Sequence, residues 1–114
     1  MAKRRMFDIS IIESDRFRVL TPSAQALYFH LNLNADDDGF VDMWKSLLRC
    51  PGIRAEHLNS LIDAGYVIKL GDDTLLIADW NLHNKIRRDR YCEGHYKDRL
   101  NSVVMQANGR YIKA

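Results

Sequence analysis

Two apolar-striped segments meet at Pro51-Gly52 and lead into two β-rich runs separated by three turn residues, and few arrangements satisfy that order. Trp44, Leu47 and Leu48 form a helical stripe after Asp42, a residue type that caps helices, and proline cannot continue the hydrogen-bond ladder at position 51. From Arg54 to Ala64 a second stripe carries Leu58, Leu61 and Ile62, and Gly65 suits the left-handed position that ends a helix. Residues 66–70 (YVIKL) and 74–78 (TLLIA) flank Gly71-Asp72-Asp73 and predict a hairpin with a short loop.

Upstream, Thr21-Pro22 places a capping residue before a proline at the first helical position, with Ala24, Leu27, Tyr28 and Leu31 following at helical spacing. Phe29 and Leu33 make the opposite side apolar too, which predicts a central, largely buried helix. Asp8 is placed to cap a short helix carrying Ile9, Ile12 and Phe17. Asp36-Asp37-Asp38-Gly39 forms a turn before a bridge-like strand at Gly39-Phe40-Val41. Helix, short strand, helix, helix, strand, turn, strand is the order of a winged helix-turn-helix, an α+β, mostly helical fold with a small antiparallel β-hairpin wing. The expected DNA-binding domain is residues 1–91. Beyond it, Tyr96, Leu100, Val103 and Val104 recur at i, i+4, i+7 and i+8 before Asn108-Gly109, predicting an additional C-terminal helix. Residues 92–114 would be a helical extension of the same domain or the start of a linker.

At 114 residues the chain fits one domain, and its 46% hydrophobic and 28% charged content matches a folded soluble protein. No run approaches the roughly 18 apolar residues of a membrane span, and the basic start is not followed by the apolar stretch of a signal peptide. A cytoplasmic location is the expectation. The net charge of +2 is unevenly spread: residues 1–20 carry +2, residues 35–79 carry −5 and residues 80–114 carry +5. Contact with phosphate is therefore expected at the two ends, from Lys3, Arg4 and Arg5 and from Lys85, Arg87, Arg88 and Arg90. With Leu58, Leu61 and Ile62 turned to the core, Arg54, His57, Asn59 and Ser60 become candidates to reach base edges, where arginine reads guanine and asparagine reads adenine. Asp72 and Asp73 make the wing tip unsuited to phosphate.

Other chemistries fit less well. Cys50 and Cys92 are far apart and outside any CxxC pair, so free thiols are expected; Cys92, His95 and His83 give three of the four ligands a structural zinc needs. Residues 34–45 match a calcium loop at positions 1, 3, 5, 6 and 9, but Lys45 stands where a bidentate glutamate belongs. His30, inside the apolar helix, is expected as a hydrogen-bonded core histidine, whereas His57, His83 and His95 have no adjacent nucleophile or acid. No glycine loop cradles phosphate, and Trp44 and Trp80 read as core aromatics. A binding protein with no cofactor and no metal is expected, not an enzyme.

Residues 4–17 (RRMFDISIIESDRF), 23–41 (SAQALYFHLNLNADDDGFV), 61–68 (LIDAGYVI) and 78–91 (ADWNLHNKIRRDRY) resemble the N-terminal domain of phage replisome organisers, relatives of the DnaD-like primosomal proteins. The resemblance implies a winged-helix domain that recognises double-stranded DNA at the repeats of a replication origin and initiates replisome assembly as a homo-oligomer, with a helicase loader or other replisome protein as partner. Two alternatives share the fold: a transcriptional regulator on an operator palindrome, and a protein-interaction or oligomerisation module of the replisome with little DNA contact.

Overall fold

The computed structural model describes residues 4–71 and 73–113, so Lys3 and Asp72 lie outside the described residues. The predicted N-terminal helix is divided in two, α1 (Ile9–Ile12) and α2 (Asp15–Arg18). Asp8 caps the first, accepting from the Ser10 amide at 2.8 Å. Ser14 causes the break, because its hydroxyl accepts from the Phe17 amide at 3.2 Å and donates to the Ile11 carbonyl at 2.7 Å. Helix α3 (Pro22–Leu33) begins at Thr21, whose Oγ1 accepts from the Ala24 amide at 3.2 Å. It buries Leu27, Tyr28 and Leu31, but Leu33 is 56% exposed, so the helix is packed on one side only.

The stripe at Trp44, Leu47 and Leu48 folds as a 3₁₀ helix, Trp44–Arg49, in place of the expected α-helix. Asp42 makes no cap there; its carboxylate accepts from the Tyr96 hydroxyl at 3.1 Å instead. Helix α4 (Ala55–Asp63) follows, and Gly65 takes a φ of +83° just beyond it. Strand β1 (Phe40–Val41) pairs antiparallel with β3 (Thr74–Ile77), and β3 pairs with β2 (Val67–Leu70), giving the sheet order β1-β3-β2.

Alternate residues of these strands face opposite ways. Val41, Val67, Leu75 and Ile77 join Phe17, Leu27, Tyr28, Leu31, Leu58 and Leu61 in the main core under the helices. Phe17, Tyr28 and Tyr66 meet edge to face there, with centroids 5.3, 5.5 and 5.7 Å apart. Phe40, Ile68, Leu70, Leu76 and Ala78 face the other way and are buried as well.

The C-terminal segment covers that second face. The additional helix expected around Tyr96 to Val104 is replaced by a short 3₁₀ helix (Lys97–Ser102) and a second hairpin of β4 (Val103–Met105) and β5 (Tyr111–Lys113). Two β-branched residues, Val103 and Val104, favour the strand. Gly109, at φ +96°, closes a hairpin loop where a helix end was expected. Tyr111, Tyr96, Leu100 and Val103 pack on the sheet, and the Tyr111 amide bonds to the Ala78 carbonyl at 2.8 Å. The result is an α+β domain with helices on one face of a small antiparallel sheet and the C-terminal hairpin on the other.

Candidate nucleic-acid interface

The expected base-reading residues lie on or beside α4, whose inner face is fixed by Leu58 and Leu61. Arg54 precedes the helix and is exposed, 3.9 Å from Glu56. His57 is half-buried, and its Nδ1 accepts from the Arg54 amide at 2.9 Å, which satisfies a free donor at the helix start. That bond holds one ring nitrogen of His57 to the backbone. Asn59 and Ser60 are exposed, with the Ser60 hydroxyl donating to the Glu56 carbonyl at 3.0 Å. Glu56 and Asp63 are exposed on the same helix.

The basic connector follows α5 (Trp80–His83), a short helix whose Trp80 is 2% exposed. Lys85, Arg87, Arg88 and Arg90 are all exposed, and Arg87 pairs with Asp89 at 3.2 Å on the surface. Their position is set by the three aspartates that sequence reasoning took only as a turn. Asp37 Oδ2 accepts from the Cys92 amide at 3.0 Å, and Asp38 accepts from the Tyr91 hydroxyl and, at 2.9 Å, from the Gly94 amide. Asp36 Oδ1 closes the turn by accepting from the amides of Asp38 and Phe40 at 2.9 and 3.0 Å, and burial raises its pKa. Gly94 is required by this docking: a methyl there would stand 2.1 Å from Asp36 Oδ2.

Arg5 belongs to this hub and is withdrawn from the expected phosphate contacts. Its side chain is 3% exposed, pairs with Asp37 Oδ1 at 3.1 Å, donates to the Ala35 carbonyl at 2.8 Å and lies 4.9 Å from the Trp80 ring. A guanidinium so enclosed cannot reach a ligand outside. Arg4 beside it is exposed.

The histidine expectations change places. His30 is exposed, and the buried histidine is His83. Its Nδ1 accepts from the Asp8 amide at 2.8 Å, and its Nε2 lies 2.6 Å from the Tyr28 hydroxyl. A backbone amide can only donate, so the neutral ring carries its proton on Nε2 and donates it to Tyr28. Burial lowers the His83 pKa to about 4. With both nitrogens engaged, His83 ties the N-terminal arm to α3.

Beside the β2-β3 hairpin turn, Asp73 Oδ1 accepts from Arg99 Nη1 at 3.2 Å, and the same Arg99 nitrogen donates to Thr74 Oγ1 at 2.7 Å. The arginine holds the Asp73 carboxyl below the usual carboxylate range. Cys50 and Cys92 are free thiols, the first half-buried and the second exposed. No family model matches this chain, and no curated protein or solved structure matches it either.

Proposed function

We propose that this chain is a winged helix-turn-helix domain that binds double-stranded DNA in a sequence-specific manner at a phage-type replication origin and there initiates replisome assembly. The 3₁₀ helix and α4 form the helix-turn-helix, and β2 and β3 form the wing. One observation carries the reading: α4 stands directly before the β2-β3 hairpin of a β1-β3-β2 sheet, with Leu58 and Leu61 buried while Arg54, Asn59 and Ser60 are exposed. That is the placement a recognition helix needs to enter a major groove. The exposed Lys85, Arg87, Arg88 and Arg90 add a phosphate-binding segment. The origin role rests on the sequence resemblance, and a regulator would differ in preferring a palindrome to an array of repeats.

Selection of bound duplexes from a random pool tests this. The expected result is one enriched motif, repeated in the origin, whose discrimination falls by roughly 1 to 3 kcal/mol at one base pair in Asn59→Ala or Arg54→Ala. A pool without enrichment would refute sequence-specific readout.

The wing tip favours a second reading, a protein-interaction module of the replisome. Arg99 covers Asp73, and the cross-strand pair Val104 and Ile112 is exposed on the C-terminal hairpin. Self-association that DNA leaves unchanged, measured by sedimentation, would support it.

A further inference from the structure

Glu56, Asp63 and the partial negative charge of a helix C-terminus all oppose the approach of α4 to phosphate. Two arginines from distant segments stand at that end. Arg16 of α2 donates Nη2 to the Ala64 carbonyl, and Arg110, in the loop between β4 and β5, donates Nη2 to the Gly65 carbonyl at 2.7 Å. Their guanidiniums lie 4.9 and 5.8 Å from the Tyr66 ring. A methyl built on Gly65 would meet both Nη2 atoms, at 3.3 and 3.2 Å, so the two nitrogens are close enough for one phosphate group to touch both.

The carboxylate beside them is Asp79, 1% exposed and 3.6 Å from Arg110 Nη1. Two guanidiniums thus face this one buried carboxylate. Each guanidinium has five N–H donors and gives one Nη2 to a backbone carbonyl at the end of α4, so most of the donors of Arg16, the exposed one, remain for a ligand. Arg16 is exposed and Arg110 half-buried.

We propose that Arg16 and Arg110 form a phosphate-binding pair that grips the DNA backbone at the C-terminal end of α4. The pair offsets the acidic character of this helix and makes the C-terminal hairpin part of the DNA-binding surface. This rests on the DNA-binding reading above.

A backbone grip is independent of sequence, so the probe is a fluorescein-labelled random-sequence duplex, titrated by anisotropy over a series of salt concentrations. Arg16→Gln and Arg110→Gln should each weaken binding several-fold at low salt and reduce the slope of log K against log salt by about 0.9, the share of one phosphate. Arg110 also faces buried Asp79, so Arg16→Gln, an exposed position, decides the matter if Arg110→Gln fails to fold. A parent that binds with a steep slope while Arg16→Gln keeps that slope would make the pair a helix cap only and leave the DNA reading intact. A parent with no salt-sensitive binding would remove both.

Discussion

Lowering the pH from 7 to 5 should cost this domain roughly 2 kcal/mol of stability through His83 alone. In the unfolded chain a histidine titrates near 6.5, and in the fold burial lowers His83 to about 4. A depressed histidine contributes stability that is present above the unfolded value and is lost as pH falls from 6.5 toward 4. Each pH unit inside that window costs about 1.4 kcal/mol, so about 2 kcal/mol is gone by pH 5. The structural cause is specific: protonation would place a second N–H against the Asp8 amide, which already occupies Nδ1 at 2.8 Å. Asp36 and Asp79 act in the opposite sense, because burial raises their pKa and favours the fold as they protonate. The His83 share is isolated by His83→Gln, whose side chain can accept from Asp8 and donate to Tyr28 but does not titrate. Urea unfolding followed by tryptophan fluorescence should show the parent midpoint falling between pH 7 and 5 and the variant midpoint falling much less. Equal slopes for the two proteins would refute the assignment.

Three further outcomes follow from the packing. Gly39→Ala should destabilise by about 2 to 5 kcal/mol in urea titration, since φ is +92° and the new methyl would lie 2.6 Å from Trp80 Cγ; Gly52→Ala, at φ +85° with only Ser23 Oγ in ordinary contact at 3.9 Å, should cost only about 1 to 2 kcal/mol. Arg5→Met should cost about 3 to 5 kcal/mol by leaving Asp37 buried without its partner, while Arg4→Met stays within about 0.5 kcal/mol. A chain ending at Tyr91 should lose cooperative unfolding and bind a hydrophobic dye, because it uncovers Phe40, Ile68, Leu70 and Leu76, each worth about 1.5 to 3 kcal/mol when buried; retention of the parent Tm would contradict this.

The elements readable in the sequence are those whose signals are local. Thr21-Pro22 starts α3, Gly65 ends α4, and Gly71 turns the hairpin at φ +74°, each through its own backbone or side chain. Asp42 misled because its partner, Tyr96, is remote in sequence and takes the carboxylate from the helix start. Charge counting could not separate Arg4 from Arg5, since only the fold brings Asp37 and Trp80 to the second. The spacing of Tyr96, Leu100, Val103 and Val104 suits a helix as well as a turn and strand, and the β-branched pair with Asn108-Gly109 was the clue to a hairpin. A signal for that hairpin's role was also present: Leu75, Leu76 and Ile77 are apolar on both faces of β3, which requires a cover on each side. Of the candidate site, α4 and the connector stand where exposure suits binding, whereas the Arg16 and Arg110 pair arises from tertiary proximity alone.

Fluorescence anisotropy of a labelled origin duplex against a scrambled duplex, at two salt concentrations, with Arg87→Ala/Arg88→Ala beside the parent, tests the central claim most directly. Tight origin-selective binding that weakens steeply with salt and weakens again in the variant is the predicted result. Absence of binding to either duplex at low salt would contradict it.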